Sequence, residues 1–352
     1  GPLATWINNV VYEVKLNVDS YIDLCHRILL LSKKTTRYSS DFASYAINDP
    51  IGKTTEALLI YWARHELKDN IGIESRYQKI FDLLCLTEEE KYQPARFILC
   101  RNIALFYRID SPWTERQLIP LFRWEYSEIE AAIAWQGFLS SPHLYLPLIL
   151  NLKNDLLSTV NHYDSLGKLA GQYASLVTNL ALDEKNIFKL EEIRNIFDCF
   201  SSDALCESIR VISSYIKASG EQQMNMWENR IKPFFTKIWP NGRKNIENEQ
   251  LAYTVAWMFA ESGDIFPFLI SNIISKWLIP FNHSIHVARK IFKDNTCKKF
   301  PKESLTFLAM IVKKTFPGAT PIIKDCLKQI SDSDQRLSTD PDFVKLTNIA
   351  GG

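Results

Sequence analysis

The 352-residue chain is 46% hydrophobic, carries 41 basic against 40 acidic side chains and holds seven cysteines. That much apolar surface can bury one large core or a row of smaller ones, which excludes a disordered chain, and the balanced charge excludes whole-chain attraction to nucleic acid or an anionic membrane. Apolar runs such as "RILLLS" and "FLAMIV" are far shorter than the roughly 20 residues of a membrane span, no signal-peptide pattern opens the chain, and the cysteines never form CxxC, so a soluble cytoplasmic protein with reduced, buried thiols is expected.

Residues 1–4, beginning "GPL", read as the remnant of a cleaved purification tag, which leaves residues 5–352 as the folding chain and allows it to be a fragment of a longer protein. Ile7, Val11, Val14, Val18, Tyr21, Cys25 and Ile28 form a helical stripe, although "VVYEVKLNV" also alternates with period two. Helix is the expectation there. Cys25 and His26 are neighbours in sequence and so point to different helix faces, poor geometry for a nucleophile and its base.

"NDPIGKTTEALLIYWARHE" contains the tail of a phosphate-binding loop, Gly52-Lys53-Thr54-Thr55. A complete loop needs a glycine where Ile47 stands and a buried strand before it, because several backbone N–H groups must turn toward the phosphates. Asp49-Pro50 instead starts a helix: the aspartate accepts a bond from an orphan N–H, and proline lacks the one that would be orphaned anyway. His65-Glu66 begins an HExxH zinc motif, but Asp69 stands where the second histidine belongs.

Asp-Pro and Ser-Pro recur as expected helix starts at Ser111-Pro112, Ser141-Pro142 and Asp340-Pro341. Thr87 with Glu90 fits a capping box, and Glu88, Glu89 and Glu90 suit the positive end of a first helical turn. Helical stripes follow in Phe97, Cys100, Ile103 or Ala104 and Tyr107; in Ile129, Ala132 or Ile133, Gln136 and Leu139; and in Leu205, Ile209, Ile212 and Ile216. Trp113, Trp124 and Trp135 recur every eleven residues. They are expected to pack between consecutive helices, with a recognition surface as the other reading.

"RIKPFFTKIWP" and "DIFPFLISNIISKWLIP" share a Pro-Phe start, an apolar stripe and a tryptophan before proline, with "LYLPLILNLKNDLL" as a looser copy. The whole pattern predicts roughly sixteen helices of about 10 to 20 residues, an all-α, irregular HEAT-like solenoid of stacked antiparallel helix pairs. No linker divides the chain, so one domain is the simplest division, and a change of sequence style near residue 220 allows a second lobe.

His283 and His286 stand one turn apart, without a third ligand at a familiar spacing. Between residues 281 and 314, Arg289, Lys290, Lys293, Lys298, Lys299, Lys302, Lys313 and Lys314 outweigh Asp294 and Glu303. Arg289, Lys290, Lys293, Lys298 and Lys299 are the candidate partner-binding residues, facing an acidic protein surface or a nucleic-acid backbone, or simply solvent. Phe281, Phe292, Phe300 and Phe307 lie among them, placed for base stacking or for the apolar faces of two helices.

At "NDPIGKTTEALLIYWARHE", "DSPWTERQLIPLFRW", "EIEAAIAWQGFL" and "NRIKPFFTKIWPNG" the chain resembles the helical C-terminal domain of bacterial defence-associated SIR2-like antiphage proteins, from about residue 45 onward. The resemblance implies a multidomain protein in which a SIR2-like domain hydrolyses NAD while the helical part senses infection or holds the assembly, with that upstream domain and a phage-derived protein trigger as partners. The glycine-rich turn and catalytic histidine of sirtuins have no counterpart here, so no catalytic residue is carried over. The expectation is a noncatalytic interaction domain without a cofactor or metal. An enzyme, hydrolase or nuclease, assembled from distant carboxylates and a nucleic-acid-binding helical solenoid stand as the alternatives.

Overall fold

Helix-forming periodicity becomes helix along the chain in a computed structural model that describes residues 2–11, 18–34, 41–64, 67–183, 187–240, 248–313 and 320–351. Among them no strand forms; the nearest thing to one is an isolated parallel bridge between Phe281 and Val312. The chain separates into two compact units, Gly1–Tyr173 and Ala174–Gly352. That division lies inside a helix, whereas the change of sequence style lies near residue 220.

The first unit comprises α1 (Pro2–Val10), α2 (Val18–Leu31), α3 (Phe42–Asn48), α4 (Pro50–Ala63), α5 (Ser75–Leu84), α6 (Gln93–Arg101), α7 (Ile103–Ile109), α8 (Ser111–Gln117), α9 (Glu128–Ser140), α10 (Leu146–Asn151), α11 (Lys153–Ser158) and the start of α12 (Ala170–Leu182). Helix α6 packs on α9, α4 packs on α1 and α6, and α3 on α6. Ile7, Val11, Tyr21, Cys25 and Ile28 are buried as the N-terminal stripe requires, while residues 12–17 of that stripe lie outside the described residues. Asp49 caps α4 by accepting from the Ile51 N–H at 2.8 Å.

The other start signals fare unevenly. Asp110, not Ser111, caps α8, accepting from the Trp113 N–H at 3.0 Å, because a side-chain oxygen reaches the N–H groups two and three residues on. Ser141 ends α9 and starts nothing. Thr87 lies in a turn, and Glu90 opens a 3-10 turn whose cap residue Glu89 makes no side-chain cap bond, so neither the capping box nor the acidic first α-helical turn forms. Asp340 holds the start of its helix, accepting from the Asp342 N–H at 2.8 Å.

Two close approaches and one buried ion pair lock the middle of this unit. A Cβ on Gly52 would sit 1.8 Å from the Ala46 carbonyl oxygen, and one on Gly137 would sit 2.5 Å from that of Phe97. Only glycine lets these backbones meet. Arg96 is completely buried: Nε and Nη2 donate to the two oxygens of Glu130 at 2.7 and 2.8 Å, and Nη1 donates to the Leu86 carbonyl at 2.8 Å. Gln93 donates to the same carboxylate at 3.2 Å. Beside this pair Glu130, Ala134, Trp135 and Phe138 face inward together with Ile133 and Leu139 of the sequence stripe, while Ile129, its first member, faces out.

The second unit holds the rest of α12, then α13 (Leu190–Cys199), α14 (Ser202–Ala218), α15 (Gln223–Met226), α16 (Lys232–Lys237), α17 (Glu249–Ala260), α18 (Phe266–Ile270), α19 (Ser284–Lys293), α20 (Thr296–Lys299), α21 (Pro301–Ile311), α22 (Thr320–Ser333) and α23 (Pro341–Gly351). Its packed pairs include α14 with α17, α19 with α22 and α22 with α23. The stripe Leu205, Ile209, Ile212 and Ile216 is buried on α14. Residues 227–231 widen into a π turn just before Pro233, where a regular α-helix would drive the proline ring against the Asn229 carbonyl. The repeat seen in the sequence has a packing counterpart: Pro233 and Pro267 sit in the first turns of α16 and α18, and the two exit tryptophans, Trp239 and Trp277, meet edge to face at 5.6 Å.

All-helical architecture built of packed helix pairs therefore matches the expectation. The pieces are shorter than expected: α3, α7, α8, α10, α11, α16 and α18 each run fewer than ten residues, many opening on an internal proline that cannot donate to the preceding turn.

Candidate functional site

Residues singled out by sequence separate into those the core consumes and those it leaves open. Gly52 is packed against α3, and the hydroxyls of Thr54 and Thr55 donate to the Pro50 and Ile51 carbonyls at 2.7 and 2.8 Å. With its glycine and hydroxyls turned into the helix, "GKTT" keeps only the Lys53 ammonium at the surface and has no loop of backbone N–H groups to cradle a phosphate. His65 and Glu66 lie outside the described residues. Burial pushes the Cys25 thiol up to about 12, so it is not a thiolate at neutral pH.

Trp113, Trp124 and Trp135 are all buried, and their indole N–H groups donate to Asp82 Oδ1 at 2.7 Å, Thr159 Oγ1 at 2.9 Å and the Phe122 carbonyl at 3.0 Å. They are core residues. The recognition-surface reading is thereby removed for Trp113 and Trp135, while Trp124 keeps an edge on a cleft.

The basic segment stays outside. On α19, Arg289 and Lys293 are exposed and Lys290 pairs with Asp294; on α20, Lys298 is exposed and Lys299 pairs with Asp264; Lys302 is exposed on α21. Lys313 pairs with Glu249 at 2.8 Å, and Lys314 lies outside the described residues. Arg289, Lys293, Lys298 and Lys302 thus have no ion pair among the described residues. The phenylalanines do not accompany them outward. Phe281 and Phe307 are buried, Phe300 stacks on Phe266 at 6.2 Å and Phe292 is half-buried, so base stacking has no exposed aromatic series to use.

Sequence spacing gave no hint of a polar cleft in the first unit. Arg123, Trp124, Glu125, Asn151, Asn154, Asp155, Ser158 and His162 line about 710 Å³. The His162 ring lies flat on Trp124 at 4.2 Å, and its Nδ1 is 3.6 Å from Glu128 Oε1. Removal from water raises the Asp155 carboxyl above the usual carboxylate range, opposed by Arg123 and reinforced by Glu125. Ser158 donates its hydroxyl to the Asp155 carbonyl at 2.9 Å and is not hydrogen-bonded to His162, so the cleft can hold a polar group but lacks an assembled nucleophile and base among the described residues.

In the second unit, His283 and His286 stack with ring centres 6.0 Å apart beside Glu249, whose carboxyl is held below its usual range by Lys313 and the Asn282 N–H. No group of three or more metal-ligating side chains gathers among the described residues, and no described helix is long and apolar enough to cross a membrane. Comparison with protein-family models, curated proteins and solved structures gives no match.

Proposed function

We propose that the chain is a noncatalytic helical interaction domain of an antiphage defence protein, one that senses a phage-derived protein and regulates an attached SIR2-like NAD-hydrolysing domain in the cytoplasm. The observation that carries the interaction reading is the run of exposed cations Arg289, Lys293, Lys298 and Lys302 on three consecutive helices, without ion pairs among the described residues. Cations already satisfied by neighbours gain little from a partner; these have their charge still to use. The defence context rests on the sequence resemblance alone.

The test uses the full-length gene product. Arg289→Glu, Lys293→Glu and Lys298→Glu together are expected to leave folding within about 0.5 kcal/mol per site. The same protein is expected to lose phage protection and infection-triggered NAD loss. Lys299 is left unchanged, because a glutamate there would face Asp264. Protection equal to the parent's overturns the reading of this face, and NAD consumption by the isolated chain overturns its noncatalytic role.

A further inference from the structure

The second unit has an aromatic shelf that neither the core nor the basic segment uses. Tyr253 and Trp257, one turn apart on α17, stack with ring centres 6.0 Å apart at 30°. Trp227, Trp239 and Trp277 of the same unit are buried, whereas Trp257 is half open. Buried Phe281 braces the Tyr253 ring edge to face at 5.7 Å, which fixes the shelf from behind. Neither the Tyr253 hydroxyl nor the Trp257 indole N–H has a hydrogen-bond partner among the described residues.

The shelf floors a cleft of about 380 Å³ between α14 and α17, whose other walls include Arg210, Ser213, Ser214, Gln250 and Lys217. A second hollow of about 320 Å³ shares Gln250 and Tyr253 with it and adds Asn282, His283, His286 and the Glu249 carboxylate, which is paired with Lys313. A flat apolar surface edged by amide, hydroxyl and phenol groups suits a heteroaromatic ring that stacks by its face and hydrogen-bonds by its edge. Lys217 is held by Glu261 at 2.6 Å. Arg210 is tied only to Glu207 on its own exposed helix face, a contact worth little in water, so its guanidinium can turn to a phosphate, which it matches as a planar fork.

We infer that this cleft binds a nucleotide, with the base stacked on Tyr253 and Trp257 and a phosphate held by Arg210. The chemistry is shared by a free mononucleotide and by a nucleotide within a single strand. Calorimetric titration of the purified chain at low salt with adenosine, AMP and a short oligodeoxyadenylate separates them: saturation by AMP alone assigns the free nucleotide, and preference for the oligomer assigns the strand, each supporting the stacked base. Trp257→Ala is expected to weaken binding at least tenfold and Trp257→Phe to restore most of it, with Arg210→Ala bringing AMP down to the affinity of adenosine. Far-ultraviolet circular dichroism checks that each variant is folded. The proposal is overturned by absence of saturable binding to either phosphorylated probe, by Trp257→Ala binding like the parent, or by adenosine binding as tightly as AMP. The exposed cations of α19 and α20 play no part, so charge reversal there leaves this titration unchanged even if the sensing role fails.

Discussion

Arg96 and Glu130 are 34 residues apart in sequence and share two hydrogen bonds in a site where Arg96 has no exposure. Removing one partner leaves the other charge buried and alone, which typically costs about 3–5 kcal/mol, far more than the pair itself is worth against an apolar replacement. Glu130→Ala is therefore expected to lower the urea midpoint sharply or abolish folding; a loss below about 1 kcal/mol would show that water reaches Arg96. Asp155 tests electrostatics of the opposite sign. A carboxyl whose folded pKa is raised binds its proton more tightly when folded, so its stabilising contribution is complete below the unfolded value near about 3.9 and is lost as pH rises through the folded one. Asp155→Asn cannot ionise, and its melting temperature relative to the parent should rise between pH 4 and pH 7. A flat or falling difference would contradict a raised carboxyl. Neither residue was visible as special in sequence. Glu130 is there one acid among many, and Asp155 comes under the influence of Arg123 only through tertiary packing.

Helices were legible where an element's own chemistry decides them, and illegible where a distant element does. The stripe Leu205, Ile209, Ile212 and Ile216 needs only period 3.6 and a partner surface, and it is buried on α14. The stripe on α9 was read too narrowly: Ile133 and Leu139 are buried, but Ile129 faces out and Glu130 goes inward with Arg96, which no periodicity of apolar residues anticipates. Phe97 to Tyr107 looked continuous but breaks at Asn102, whose side chain donates back to the Ile98 carbonyl at 2.8 Å and so offers the backbone an end to α6. The start of α8 gives the test at this scale. Asp110 accepts from Trp113 N–H at its own helix and, through its other oxygen, from Ile73 N–H at 3.1 Å in a separate loop. Asp110→Ala should cost about 2 kcal/mol, one lost cap and one lost charge-assisted bond, while Ser111→Ala should change stability by less than about 0.5 kcal/mol. Equal effects in chemical denaturation would return the capping role to the serine.

At the scale of the molecule the all-helical class was legible because periodicity, proline starts and the scarcity of alternating runs, "VVYEVKLNV" apart, agree with one another along the chain. The candidate sites were less so: the basic segment announced itself as a charge imbalance, whereas the Tyr253–Trp257 shelf depends on which face of α17 is left open by α14. The boundary between the two compact units has a practical consequence for anyone dissecting them. It falls within α12, where Tyr173 donates its hydroxyl to the Leu156 carbonyl at 2.8 Å on one side and Thr178 bonds Ser208 at 2.9 Å on the other. A fragment truncated after Tyr173 keeps only about one turn of that helix, too little to hold its own backbone bonds, and the tyrosine anchor would sit on a fraying end. A fragment begun at Ala174 loses the carbonyls that its first amide groups should meet. Expression pieces are better overlapped, the first carried through Leu182 and the second begun at Ala170, so that each keeps α12 whole.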